Sequence, residues 1–160
     1  MKREKKSIVY NVYADPAELT EADRELWDAA VAALKNSWSP YSEFKVAAAL
    51  RMRSGKIITG SNQENAAYPM CLCAERVALA AAASVAPGEE VESMFITVRN
   101  AAKPVTSPAA PCGACRQVLC ETETRQATPL RLLLRGEEGE ILEFEDSKTL
   151  LPWSFSGAFL

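Results

Sequence analysis

Two short stretches are the most informative about how this chain folds and what it binds: Cys73-Ala74-Glu75-Arg76 and Pro111-Cys112-Gly113-Ala114-Cys115-Arg116. Each lies at the predicted beginning of a helix. Cys112 and Cys115 are spaced i and i+3, so their sulfurs converge on one face of the first helical turn. Cys73 begins the other helix, and the positive end of each helix dipole favours thiolate over thiol. The pattern predicts a metal ion held by three sulfurs where two helices begin.

Zinc suits this set of ligands. Three protein ligands leave the fourth tetrahedral position open, which distinguishes a catalytic zinc from a structural one, and such a zinc lowers the pKa of water towards neutrality. Glu75 is too close in sequence to Cys73 to be an easy fourth ligand, but it can act as a proton shuttle. Arg76 and Arg116 lie near the ligands, where they are placed to offset the negative charge of three thiolates around zinc.

A closed structural site is the alternative, because Cys71 would supply a fourth sulfur. Two features count against it. Cys73 opens a long Ala-rich helix rather than the knuckle turn of a zinc ribbon, and a closed site leaves Glu75 and the two arginines without a role. We therefore expect Cys71, like Cys120, to be a small buried apolar residue.

The composition excludes several other classes of protein. The chain has 160 residues, 48% of them hydrophobic and 24% charged, as in an ordinary single globular domain. A net charge of -3 disfavours a polynucleotide partner. With no histidine, Ser-His-Asp and Cys-His catalysis are excluded, as are metal sites that need imidazole. Five cysteines without a signal peptide predict the cytoplasm, and no apolar segment is long enough to span a membrane.

The hydrophobic pattern predicts a layered α/β domain. Helices are expected at 21–36, 73–85 and 113–124, and strands at 44–52, 56–60, 91–98, 130–134 and 140–144. Thr20 followed by Asp23 resembles an imperfect capping box for the first helix. This order indicates a sheet of about five strands flanked by helices. Residues 1–15 are expected to form an N-terminal arm or an extra strand beside a single domain of 16–160.

Cys-x-Glu followed by Pro-Cys-x-x-Cys is the signature of zinc-dependent nucleobase deaminases. Over about residues 20–155 the chain resembles the small homotetrameric cytidine deaminases that have three cysteine ligands. Three further segments carry this resemblance: Pro40-Tyr41-Ser42-Glu43-Phe44, Asn62-Gln63-Glu64-Asn65-Ala66-Ala67-Tyr68 and Leu150-Leu151-Pro152-Trp153-Ser154-Phe155. The chain departs from the family in its first fifteen residues, which have no counterpart, and in a slightly extended loop at 103–110.

The resemblance implies a three-layer α/β/α fold with a mixed sheet of about five strands, and a homotetramer or dimer of dimers. It implies that Cys73, Cys112 and Cys115 bind zinc and that Glu75 shuttles protons. In the implied substrate complex, Asn62 and Glu64 bind the ribose hydroxyl and Phe44 lines the pyrimidine pocket. The Ala110 carbonyl and the backbone near Ala74 contact the edge of the base. Phe155 reaches the site of a neighbouring subunit. Without the resemblance, Asn62 and Glu64 could equally be turn residues with no contact to substrate. Phe44 on its own would be interpreted as a core residue.

The implied reaction is hydrolytic deamination of cytidine and deoxycytidine in pyrimidine salvage, with a small nucleoside as substrate and neither nucleic acid nor membrane as partner. Three alternatives stay open. The first is a deaminase of another aminopyrimidine nucleoside, such as an aminonucleoside antibiotic. The second is a polynucleotide base deaminase, which predicts a basic surface. The third is a non-catalytic module with four cysteine ligands, which predicts that Cys71→Ser loses the metal.

Overall fold

A computed structural model describes residues 1–160, and a single mixed sheet of six strands forms its centre. The strands are β1 (Asn11–Tyr13), β2 (Phe44–Met52), β3 (Ile57–Ser61), β4 (Val91–Asn100), β5 (Arg131–Arg135) and β6 (Ile141–Phe144). Their order across the sheet is β1-β6-β5-β4-β2-β3. Only β4 and β5 pair in parallel, and the other neighbours are antiparallel. The predicted mixed sheet is confirmed.

Both faces of the sheet are covered by helices: α1 (Glu21–Ala33) on one side, and α2 (Ala74–Val85) and α3 (Gly113–Gln126) on the other. Successive residues of a strand point to opposite faces. Accordingly Leu50 and Ile96 pack in the cluster that contains α2 and α3, whereas Ala49 and Phe95 pack with Leu26 of α1. Because both faces are buried, the strands are continuous apolar runs, and the three-layer prediction is confirmed.

The sheet has one strand more than the five or so predicted, and this strand is β1. It pairs antiparallel with β6, with Val12 opposite Leu142. The side chains of the two residues that flank Val12 also bind β6. Asn11 Nδ2 donates to the Glu143 carboxylate at 3.0 Å, and the Tyr13 hydroxyl donates to the same carboxylate at 2.5 Å. A strand of three residues is therefore held by tertiary contacts rather than by its own β-propensity.

The sheet brings the beginnings of α2 and α3 together. Since β3 and β4 are both antiparallel to β2, they run in the same direction and end at the same edge. The chain enters α2 after β3 and enters α3 after β4. Gly60 allows α2 to lie directly on β3, because a Cβ at this position would come within 2.4 Å of the Ala78 nitrogen and 2.5 Å of the Ala74 carbonyl oxygen.

A buried ionic cluster fastens the opposite face. Arg131 donates to Glu143 at 2.7 Å and also pairs with Asp23 near the beginning of α1. The two acids are only 6% and 3% exposed, respectively. The cluster joins β5, β6 and α1, and through Tyr13 it also reaches β1. No helix of the chain combines the length and the apolar character needed to cross a bilayer.

Candidate active site

Three sulfurs converge at the edge of the sheet where α2 and α3 begin. The Sγ atoms of Cys73, Cys112 and Cys115 all lie within 4.8 Å of one another. Cys73 and Cys112 are the N-cap residues of the two helices and neither side chain makes a cap hydrogen bond, while Cys115 lies in the first turn of α3. The free N–H groups of two helix ends thus surround the sulfurs with positive potential. These residues are positioned to bind a metal ion.

The electrostatics of the cluster fit a soft cation. Hydrogen bonds from Cys115 and Cys112, with the charge of Arg76, lower the pKa of Cys73 to about 5 despite the opposing effect of burial. The bond to Cys73, together with burial, raises the pKa of Cys115. One sulfur is stabilised as thiolate while its neighbour is held as thiol, because adjacent like charges disfavour each other. A divalent cation would resolve this conflict, and thiolates are ligands that zinc prefers.

The two arginines near the cluster are held differently. Arg76 donates through Nη2 to the Cys71 carbonyl at 2.9 Å, and its buried Nε has no hydrogen-bond partner. An orphaned N–H beside Cys73 is a donor suited to a thiolate ligand. Arg116 instead donates to the backbone carbonyls of Pro111 and Leu150, at 2.8 and 3.1 Å. Arg116 thus ties the beginning of α3 to the C-terminal segment.

Glu75 lies in the first turn of α2 and is only 4% exposed. Burial is the largest effect on this carboxyl group, and it raises the pKa of Glu75, with the charge of Cys73 acting in the same direction. Glu75 also lines the cavity described next, together with Cys73 and Cys112. A buried carboxyl group with a raised pKa, beside a metal site and open to a cavity, is suited to take up and deliver protons.

A cavity of about 270 Å³ opens beside the sulfurs. Its apolar wall includes Phe44, Val46, Leu72, Ile96 and Val98. The polar residues Asn62, Gln63 and Glu64 line it as well, and Ala109 and Ala110 complete the wall. An apolar slot with a few polar groups at its border is typical of a site for a small planar ligand.

Most of the residues that sequence reasoning assigned to substrate lie on this cavity: Phe44, Asn62, Glu64 and Ala110. Phe44 is half-buried at the beginning of β2, where it is available to a ligand rather than sealed in the core. Ala74 is buried within α2 and is not among the residues that line the cavity. Phe155 is 60% exposed, stacks on Phe159, and does not line this cavity either.

Asn62 and Glu64 also have structural partners within the chain. The Asn62 side chain accepts from Val46 N at 2.8 Å and donates to the Phe44 carbonyl at 2.9 Å, which fixes the beginning of β2. The Glu64 carboxylate accepts from the Ser42 hydroxyl and from Tyr41 N. These bonds, that of Ser42 first, lower the pKa of Glu64. Both residues therefore order the rim of the cavity as well as facing it.

The remaining cysteines separate from the metal cluster. Cys120 is buried in α3, as expected. The expectation that Cys71 is buried is wrong: it is half-exposed, lines the cavity, and its Sγ accepts from Asn65 N at 3.2 Å. Because Cys71 is held by the loop before α2, it is not a member of the sulfur cluster. A closed site with four cysteine ligands is thus not what the chain builds.

Sequence reasoning missed part of the cavity wall. Val46 follows Phe44 by two positions on β2, and Ile96 and Val98 are two positions apart on the neighbouring strand β4. Because side chains two positions apart share a face of the sheet, this alternation could have predicted that all three lie on the same face as Phe44. Leu72 and Gln63 reach the cavity through an isolated β-bridge between two loop segments. No local sequence pattern announces such a bridge.

Known proteins match this chain over most of its length. A sequence profile described as "Cytidine and deoxycytidylate deaminase zinc-binding region" matches residues 20–128. A cytidine deaminase of Halalkalibacterium halodurans is 39% identical over 130 residues, which are 79% of this chain and 89% of that protein. One from Sporosarcina psychrophila is 39% identical over 124 residues, 78% of this chain and 84% of that one. The crystal structure of cytidine deaminase from Burkholderia pseudomallei superposes with a TM-score of 0.73 at 37% identity, covering 86% of this chain and 100% of that chain.

Proposed function

Because the chain belongs to the zinc-binding family of cytidine and deoxycytidylate deaminases, we propose that it hydrolyses cytidine and 2′-deoxycytidine to uridine and 2′-deoxyuridine with release of ammonia. One observation carries the proposal. The buried carboxyl group of Glu75 and the sulfurs of Cys73 and Cys112 border the same cavity. An acid–base group and a metal site are the two components that this hydrolysis needs.

Cys73, Cys112 and Cys115 would hold the zinc, which when bound makes water a nucleophile near neutral pH. Glu75 takes one proton from the attacking water and passes it to the ring nitrogen, while the water oxygen bonds to the ring carbon that bears the amino group. Glu75 then takes the second proton from the new hydroxyl group and delivers it to the amino group. The carbon–nitrogen bond breaks, the carbonyl group of uridine forms and ammonia leaves. Burial suits Glu75 to this exchange because a raised pKa brings proton uptake closer to neutral pH.

The cavity wall supplies recognition of the nucleoside. Phe44 covers the face of the pyrimidine, and the Ala110 carbonyl and the backbone near Ala74 meet its edge. Asn62 retains a second amide hydrogen beyond the one donated to Phe44, so it can still bind a sugar hydroxyl. Glu64, a carboxylate whose pKa is held low, accepts from the same sugar. The charge of Arg76 stabilises the ligand Cys73, and Arg116 steadies the beginning of α3.

The decisive experiment follows cytidine absorbance with the purified protein, with and without a chelator. We expect turnover that the chelator abolishes and that added zinc restores. A parallel panel of deoxycytidine, cytosine and aminopyrimidine nucleoside antibiotics defines the substrate. Turnover of an antibiotic with none of cytidine would replace the proposed substrate, and zinc content without turnover of any of them would contradict the enzyme assignment.

We further propose a homotetramer or dimer of dimers in which Phe155 contributes to a neighbouring subunit's site. Its support is that Phe155 is exposed and lies off the cavity of its own chain. In addition, exposed Tyr41 and Tyr68 line a neighbouring pocket that shares Glu64 and Cys71 with the cavity. Light scattering should give about four times the 17.4 kDa of the chain. A monomeric mass would contradict this assembly.

Two further assignments belong to the same proposal. Residues 16–160 form the catalytic domain, and residues 1–15 are an N-terminal arm whose segment Asn11–Tyr13 adds the strand β1. Removal of residues 1–10, which leaves β1 in place, should preserve turnover of cytidine. The reduced state of five cysteines fits a cytoplasmic enzyme, and the nucleoside is its partner rather than nucleic acid or membrane.

A further inference from the structure

The loop from 101 to 112 forms one wall of the cavity. It leaves β4 at Asn100, contributes Ala109 and Ala110 to the wall, and ends at the metal ligand Cys112. Residues 101–104 are all exposed, so this part of the loop has no core to hold it. The placement of the wall must come from contacts further along the loop.

The turn after β5 supplies these contacts. The Val105 carbonyl accepts from the backbone nitrogens of Glu137 at 2.7 Å and Glu138 at 3.3 Å. In return, the Glu137 carboxylate accepts from Val105 N and from Asn100 N, both at 3.3 Å. A single side chain therefore joins the end of β4 to the middle of the loop. Hydrogen bonds to a charged acceptor are stronger than those between neutral groups.

The turn itself is firmly seated. Gly136 is buried, and its carbonyl accepts from the Thr97 hydroxyl of β4 at 3.3 Å. A Cβ on Gly136 would lie 2.3 Å from the Val105 carbonyl oxygen and 2.9 Å from that of Ser107. The loop backbone thus rests directly on the turn. Ser107 precedes Ala109 by only two residues, with Pro108 restricting the backbone between them.

We propose that Glu137 is a positioning residue for the substrate pocket: its carboxylate clamps the loop at Val105 and so fixes Ala109 and Ala110 against the base. The proposal rests on the proposed function, since it assigns a role within the same site. The Glu137 carboxylate also pairs with Arg99 at 3.4 Å, but this ion pair contributes little to stability because the Arg99 side chain is 57% exposed. The Val105 N–H makes no backbone hydrogen bond, so the Glu137 carboxylate is its acceptor.

The test compares three variants with the wild type. Glu137→Ala removes the clamp, Glu137→Gln keeps an amide oxygen that can accept the same bonds, and Glu138→Ala is the control because its exposed side chain has no partner. We expect Glu137→Ala to raise KM for cytidine about tenfold while kcat stays within about twofold, since a small displacement of a positioning group is costly. Glu137→Gln should recover most of this loss, Glu138→Ala should match the wild type, and zinc content should not change.

An unchanged KM in Glu137→Ala would overturn the proposal, even if the thermal midpoint falls, because a merely structural role moves stability alone. Hydrogen exchange over residues 101–112 provides an independent readout. We expect faster exchange in Glu137→Ala than in Glu138→Ala, and equal exchange would also overturn the clamp. If the wild type itself fails to deaminate cytidine, the proposed function fails, and hydrogen exchange then decides alone whether Glu137 holds the wall.

Discussion

The two faces of the sheet both bury charged groups, but only one of them satisfies all of its charges. Beneath α1, the guanidinium of Arg131 lies between the carboxylates of Asp23 and Glu143. Beneath α2 and α3, the Nε atom of Arg76 is buried without a partner and burial raises the pKa of Glu75. A completed cluster stabilises the fold, whereas an incomplete one marks the place where an ion or a substrate binds.

The largest expected effect comes from removing a sulfur on the incomplete face. Cys112→Ser should reduce zinc from about one ion per chain to nearly none and abolish turnover, because two thiolates rarely retain the metal. Metal analysis and the cytidine assay measure the two effects. Cys71→Ser is the matched control, since that thiol is outside the cluster, and it should keep both zinc and activity. Zinc loss in Cys71→Ser would restore the four-cysteine alternative.

Glu75→Gln should lower kcat by about 100- to 10,000-fold, because the amide cannot exchange protons with the substrate. Zinc content and the unfolding transition should stay close to those of the wild type. Glu121→Gln, an exposed acid on α3, serves as the control and should be fully active. A Glu75→Gln enzyme within tenfold of the wild type would remove the proton shuttle from the mechanism.

On the completed face the effect should be on stability alone. Arg131→Met leaves two buried carboxylates unpaired and should cost about 3–5 kcal/mol of unfolding free energy. Urea denaturation measures this loss, and kcat at a temperature where the variant is folded should not change. Arg53→Met, at an exposed site, should be nearly neutral. A fall in kcat without loss of stability would mean that the two faces are coupled.

The smallest effect should appear as a pH dependence. Burial alone would raise the pKa of Glu143, but hydrogen bonds from Tyr13, Asn11 and Arg131 outweigh it and hold the pKa below its ordinary value. Such a group stabilises the protein fully above the unfolded-state pKa of about 4.3, and this contribution is lost as the pH falls through the lower folded-state value.

Denaturation at a series of acidic pH values should show a shallower decline for Glu143→Gln than for the wild type. Glu140→Gln, at an exposed position near the same strand, is the control. Identical slopes for Glu143→Gln and the wild type would contradict a depressed pKa at Glu143.

Local patterns predicted the part of the molecule that local forces decide. The i, i+3 spacing of Cys112 and Cys115 at the start of a helix is enough to predict that their sulfurs converge. The apolar runs are enough to predict the five strands β2 to β6. The N-cap at Thr20 was also foreseen, and its hydroxyl accepts from Asp23 N at 3.1 Å. However, the Asp23 carboxylate accepts from the Thr20 hydroxyl and from Arg131, a partner far away in sequence, and not from the Thr20 backbone N–H that would close a capping box.

What could not be predicted depends on partners that are distant in the sequence. Nothing near Val12 shows that β6 will accept it as a sixth strand. Asn62 has the composition of a turn residue, yet its amide is bound across the sheet edge to Phe44 and Val46. Cys71 is half-exposed because the loop before α2 folds back through a bridge that has no sequence signature. Each of these outcomes is set by tertiary contacts that override local preference.

The contact between Gly60 and α2 determines where this scaffold can be re-engineered. Backbone lies against backbone there, so any larger residue at position 60 would push α2, with Cys73 and Glu75 at its beginning, away from the sheet. Changes in ligand size must therefore be made at the border, where Gln63, Leu72 and Ala109 line the opening on loop segments. Libraries directed at these three positions would sample new substrates while leaving Glu75 and the three cysteines of the metal cluster unchanged.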